Sequence, residues 1–198
     1  MESREHFDIV LGLTGLKAAG KDELGRYLAD RGFVMKRCSD AIREEARRRG
    51  LEDPTVEQLQ DIGDEGRQRF GEGSWAVELL KMFRQEGVRK AIINGIRNPG
   101  EIRALQRHLG DRFVLLGVVA PIGTRAQRFL KRGQAGDPSE MASFLQVDDR
   151  DRGIGQPPDG QQVDRCLALV EWENLYNNDS SLEAFHDWIE RLLDRIGR

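Results

Sequence analysis

The stretch that most restricts the fold runs from Phe7 to Asp22, where the apolar, largely β-branched run FDIVLGL passes straight into TGLKAAGKD. A run of this kind suits a parallel strand covered on both faces. Leu24, Tyr27 and Leu28 then recur at helical spacing until Gly32, so the unit reads strand, loop, helix. Within the loop, Gly15-Leu16-Lys17-Ala18-Ala19-Gly20-Lys21 satisfies G-x-x-x-x-G-K. Such a loop turns backbone N–H groups inward around phosphates, and the helix behind it adds the positive end of its dipole. Residues Gly15 to Glu23 are therefore the expected binding segment for ATP, with Lys21 neutralising charge on the β and γ phosphates. Asp22 departs from the usual Ser or Thr. Carboxylate oxygen suits a hard cation such as Mg²⁺, so Asp22 is the candidate metal residue; a dipole-stabilised helix-start aspartate with no metal role is the alternative.

The rest of the chain alternates strand and helix signals. Strands are expected at 33–38, 88–93, 113–119 and 172–176, and helices after Ser39 or Asp40, over 55–73 and 74–85, after Pro99, over 124–131, 139–149 and 161–169, and from Leu182 to Ile196. Alternation of this kind implies a three-layer α/β fold, a five-stranded parallel sheet with helices on both faces, as in P-loop nucleoside triphosphatases. At 198 residues without a visible domain boundary, one domain is expected. It would carry an acceptor-binding helical insert at about 39–86 and a small helical lid at about 122–153.

Candidate acceptor residues follow the second and third strands, whose ends share the ligand rim of a parallel sheet. Asp40 and Arg43 fall on one helix face, Arg43 offering a fork to a phosphate and Asp40 a carboxylate base for a hydroxyl acceptor. Arg97, in Asn94-Gly95-Ile96-Arg97-Asn98-Pro99, is a second phosphate candidate. The basic helix bearing Arg125, Arg128, Lys131 and Arg132, followed by a hinge at Gly133–Pro138, has the composition of a lid bringing cations over a phosphoryl group. Arg150 and Arg152 could return from its other arm. Solvated charged faces are the plainer reading of these clusters.

Together the Gly15–Asp22 loop, SDAIREEARRRG, INGIRNPGEI, GQQVDRC and Asn177-Asn178-Asp179-Ser180-Ser181-Leu182 resemble the nucleoside monophosphate kinase branch of the P-loop proteins, which includes dephospho-CoA kinases. They are most similar to the kinase-like domain preceding the deaminase in bacterial dCMP/dCTP deaminase-related proteins. The resemblance implies an ATP- and Mg²⁺-dependent enzyme phosphorylating a small nucleotide-like acceptor, with Asn177 near the donor adenine. Asn94 stands where many such kinases have Asp. A nucleoside monophosphate needs no general base, whereas a dephospho-CoA-like hydroxyl does; a nucleotide-sensing module with little turnover is the remaining alternative.

Composition excludes several other classes. A formal net charge of −3 argues against a general nucleic-acid binder. No apolar run approaches the roughly 20 residues of a membrane span, and the polar start Met1–His6 offers no signal peptide, so a cytoplasmic protein is expected. Cys38 and Cys166 are expected as buried free thiols. Zinc-dependent deamination lacks its residues: His6, His108 and His186 are followed two places later by Asp8, Gly110 and Trp188, and no cysteines are paired. Trp75, Trp172 and Trp188 are expected to pack, and a homodimer is left open.

Overall fold

The structure, a computed structural model, describes residues 6–132 and 140–197. Five parallel strands, β1 (Ile9–Thr14), β2 (Val34–Arg37), β3 (Lys90–Ile96), β4 (Phe113–Val119) and β5 (Leu175–Asn177), form one sheet in the order β2-β3-β1-β4-β5. All six residues of β1 are buried, as a central strand covered on both faces requires. Helix α1 (Lys21–Ala29) follows β1; α2 (Cys38–Arg48), α3 (Val56–Phe70) and α4 (Ser74–Gln85) lie between β2 and β3; α5 (Pro99–Leu109) leads to β4. After β4 come α6 (Ile122–Arg132), α7 (Met141–Arg152) and the short α8 (Val163–Leu167), and α9 (Leu182–Arg195) ends the described chain.

The sheet separates two apolar layers. On one side Phe7 and Val10 meet Trp75, Leu79, Phe83 and Leu105 from α4 and α5; on the other, Leu11 and Leu13 meet Leu24 and Leu28 of α1 and Phe185 and Ile189 of α9. The period-2 alternation along β1 sends its side chains to the two layers in turn. A small third cluster, Ala126, Phe129 and Phe144, joins α6 to α7 and reaches Ala18 of the phosphate loop.

Several expected boundaries shift. The cap of α2 is Arg37 rather than Ser39 or Asp40, because Asp40 at the third helical position accepts the Arg37 backbone N–H at 2.7 Å and draws the helix start back to Cys38. A 3₁₀ turn occupies Trp172–Asn174, so β5 begins only at Leu175, and Trp172 is 83% exposed instead of packed. Cys166 is buried and Cys38 half-buried, both as free thiols. The expected hinge Gly133–Pro138 lies outside the described residues.

Candidate functional site

Thr14 ends β1 with its hydroxyl donating to the Ile96 carbonyl at 3.0 Å, which ties the ends of β1 and β3 together. The chain then turns at Gly15, whose φ is +139° and where a Cβ would lie 2.1 Å from the Val118 carbonyl oxygen; only glycine fits. Ala18 adopts φ +57°, a conformation that costs a non-glycine residue about 1 kcal/mol and is concentrated at functional sites. No side chain caps the start of α1, so its first N–H groups are open to an anion. Asn178 clamps the loop from behind, its Nδ2 donating to the Ala19 carbonyl at 2.8 Å while its own N–H reaches Val119.

The Lys21 ammonium folds back on this loop, donating to the Gly15 carbonyl at 2.6 Å and the Leu16 carbonyl at 2.8 Å. Burial, and then the charges of Arg97 and Lys17, lower its pKa from 10.5 to about 7 against the opposing pull of Asp22 and Asp151. A lysine so placed gains most from a polyanion, which restores its charge.

Beside it, three strand ends converge. Arg37 is in register with Asn94, and Asn94 with Leu13. Asp22 Oδ1 accepts from Arg37 Nη2 at 2.8 Å and from Asn94 Nδ2 at 2.7 Å. Partial burial works to raise the Asp22 pKa, but these two hydrogen bonds and the Arg37 and Lys21 charges outweigh it and hold the carboxyl below its usual value. Asn94 is only 3% exposed, yet its Oδ1 has no hydrogen-bond partner among the described residues.

These groups open into a cleft of about 810 Å³. Its donor wall is Lys17, Ala18, Gly20, Lys21 and Asp22; its far wall is built by Arg37, Ser39 and Ile42 around the start of α2, by Asp64, Arg67 and Gln68 of α3, and by Arg97 after β3. Seven Lys and Arg side chains face five Asp and Glu side chains on this lining, the reverse of the chain's net charge of −3. Arg128 Nη1 and Gln161 Oε1, also on the lining, are buried without hydrogen-bond partners among the described residues. Buried polar atoms are ordinarily paired, so these two leave bonding capacity for a ligand or water on the cleft. A second hollow of about 660 Å³ between α2 and α5 contains no phosphate-loop residue, and its charges pair with one another, as in Arg49–Glu65 and Arg103–Glu72.

Of the residues singled out in the sequence, Lys17, Lys21, Asp22, Arg97, Arg128 and Arg150 come together on the cleft. Asp40 and Arg43 are not on its lining: Asp40 is committed to its cap, and Arg43, three residues on, is exposed. Glu23 turns away to His186 at 3.1 Å. Asn177 is exposed, and the neighbouring Asn178 makes the loop contact instead. Arg125, expected as a lid cation, is 4% exposed and forms a bidentate pair with Asp148, so it joins α6 to α7. The side chain of Arg132 lies outside the described residues.

Arg37 and Arg67 were not singled out, although SDAIREEARRRG begins two residues after Arg37; nothing in spacing alone separates them from the other surface arginines. The Gly/Pro-rich 153–160 loop is fastened to the rim by Asn98 Nδ2, which donates to the Pro158 and Gly160 carbonyls at 2.9 Å each, and by Gln162 N donating to the Arg97 carbonyl at 2.7 Å. Glu101 in turn accepts the N–H groups of Arg97 and Asn98, and burial raises its pKa despite them.

The parallel sheet, the Gly15–Lys21 loop and the cleft across the strand ends define a three-layer P-loop fold. A sugar kinase from Janibacter sp. HTCC2649 superimposes with a TM-score of 0.50 at 17% identity, covering 94% of this chain and 92% of that one. In sequence the chain is 30% identical over 188 residues to a UPF0200 protein of Methanoculleus marisnigri, covering 95% of this chain and 97% of the relative. It is 29% identical over 189 residues to one of Methanosarcina barkeri, covering 96% of each. The chain belongs to the UPF0200 family. No protein-family model matches it. Among the described residues no helix is long and apolar enough to cross a membrane, and no cluster of three or more His, Cys, Asp or Glu side chains could hold a metal by itself.

Proposed function

We propose that the protein transfers the terminal phosphoryl group of ATP to a nucleotide-like acceptor, most plainly a ribo- or deoxynucleoside monophosphate. The observation that carries this reading is the two-sided cleft: a phosphate loop on one wall and Arg37, Arg67 and Arg97 on the other. Cations on the far wall suit an acceptor that brings its own phosphate. A monophosphate oxygen is already ionised near pH 7, so attack on the γ phosphorus needs no base; the bond to the acceptor oxygen forms as the bond to the ADP oxygen breaks. A hydroxyl acceptor would call on Asp40, which caps α2 through the Arg37 N–H and does not line the cleft.

In this mechanism the loop N–H groups and Lys21 hold the donor phosphates, Arg37 and Arg97 hold the acceptor phosphate, and Arg128 and Arg150 meet charge developing on the transferred group. The open Asn94 Oδ1 beside the Asp22 carboxylate is a pair of hard oxygen donors, which fits Mg²⁺. Bound there with the phosphates, the ion would supply further charge neutralisation.

The test is phosphoryl transfer from Mg-ATP across the ribo- and deoxynucleoside monophosphates and dephospho-CoA, with Lys21→Ala as control. Turnover of one monophosphate that disappears in the Lys21 variant is expected. ATP binding without transfer to any acceptor would overturn the kinase reading and leave a nucleotide sensor.

A further inference from the structure

We propose that Arg37 is a phosphate-binding residue of the acceptor side and that Asp22 is the positioning residue that aims it. The inference rests on the phosphotransferase reading above and explains why the loop carries a carboxylate after Lys21 where an alcohol is usual.

The geometry is a chain of three side chains across three neighbouring elements. Asn94 is fixed in β3 and 3% exposed; its Nδ2 orients Asp22 Oδ1 at 2.7 Å. That same oxygen accepts Arg37 Nη2 at 2.8 Å. Arg37 closes β2, and its side chain remains 52% exposed to the cleft. A guanidinium has five N–H donors in a rigid plane, so one bond to a carboxylate pins the group and leaves another edge for a phosphate. A point-charge lysine could not be aimed in this way.

Of the other far-wall arginines, Arg67 shares the device, whereas Arg97 has an acidic neighbour too distant for a hydrogen bond. Arg67 donates to Asp64 at 2.5 Å, and Arg97 lies 3.9 Å from Asp151. Asp22 differs in belonging to the donor loop itself and in hydrogen-bonding its arginine directly, whereas Asp151 stands between Lys17 of the donor wall, at 4.0 Å, and Arg97 of the far wall, at 3.9 Å, without a hydrogen bond to either. A role for Asp22 through metal alone would leave Arg37 unaimed, and the two roles separate once metal is removed.

The experiment titrates the full-length protein, in EDTA, with each of the ribo- and deoxynucleoside 5′-monophosphates in turn. The variants are Arg37→Gln, Asp22→Ala and the double substitution, with Arg37→Lys and Asp22→Asn as conservative companions, and thermal melting checks that each variant is folded. The wild type is expected to bind at least one monophosphate. Arg37→Gln should weaken that binding roughly tenfold or more, as loss of a charge-assisted bond implies. Asp22→Ala should cost a similar factor without any metal present, and the double variant should be no worse than the worse single one. Asp22→Asn, which keeps an oxygen for Arg37, should recover part of the loss; Arg37→Lys should not.

Independent, multiplying losses, an Asp22 effect that appears only with Mg²⁺, or wild-type protein that binds no monophosphate in EDTA would each overturn the proposal. Failure of the parent reading looks different: the wild type then moves no phosphoryl group from Mg-ATP to any acceptor, whatever the Asp22 and Arg37 variants do in EDTA.

Discussion

Donor binding at this loop should draw a proton from solvent, and the amount can be worked from Lys21. In the free protein its pKa is about 7, because burial and the Arg97 and Lys17 charges disfavour the ammonium. A bound triphosphate places several negative charges against Nζ and displaces it from the Gly15 and Leu16 carbonyls, which favours the charged form and moves the pKa back toward its usual value of 10.5. With a starting value of about 7, roughly one tenth of Lys21 is protonated at pH 8, half at pH 7 and nine tenths at pH 6. Uptake by Lys21 on binding should therefore approach one proton at pH 8 and fall as the pH drops through about 7. At pH 8 the terminal phosphate of ATP, titrating near pH 6 to 7, is already ionised and contributes little.

Calorimetric titration of ATP in EDTA at pH 8, in two buffers of widely different ionisation enthalpy, reads the number as the slope of apparent enthalpy against buffer enthalpy. Lys21→Met should bind more weakly with a slope near zero. Clear binding by the wild type with a slope indistinguishable from zero would refute the argument, since a loop lysine already charged in the free protein has no proton to gain.

Three other substitutions test separate parts of the site. Asp148→Ala strands the buried Arg125 guanidinium and should destabilise the fold by about 3–5 kcal/mol, read by chemical denaturation, while Arg125→Met with Asp148→Leu should recover much of it; a loss under about 1 kcal/mol would show that the pair is not what joins α6 to α7. Asn178→Ala removes the bond to the Ala19 carbonyl and should weaken ATP binding about fivefold, near 1 kcal/mol, leaving monophosphate affinity unchanged. Asp40→Ala should lower stability by about 1 kcal/mol through its lost cap and leave kcat within about twofold; a fall in kcat of about 100-fold or more at unchanged stability would make Asp40 a general base after all and favour a hydroxyl acceptor.

What could be read from the sequence is what is encoded locally. The apolar strand, the Gly15–Lys21 loop and the helix behind it are contiguous, and the parallel order follows from alternating strands and helices, so the phosphate wall and the five-stranded sheet were legible. The far wall was legible only at Arg97; Arg37 is selected by a distant partner, and nothing in spacing marks Arg67. Arg37 meets Asp22 at a separation of 15 residues, as Arg125 of α6 meets Asp148 of α7 at 23, and no spacing rule distinguishes a tethered arginine from a solvated one. The misplacement of Arg43 shows the same limit from the other side: a three-residue helical step from Asp40 is sound geometry, but it aims at the cleft only if Asp40 does, and Asp40 spends its carboxylate on the Arg37 N–H. Asn177 and Asn178 were separable only by the phase of β5. Once the 3₁₀ turn at Trp172–Asn174 delays that strand, its side chains alternate exposed, half-buried, exposed from Leu175, and the next residue, Asn178, is the one turned inward to the loop. A three-residue delay in where a short edge strand begins inverts its phase, and with it which asparagine faces solvent and which clamps the phosphate loop.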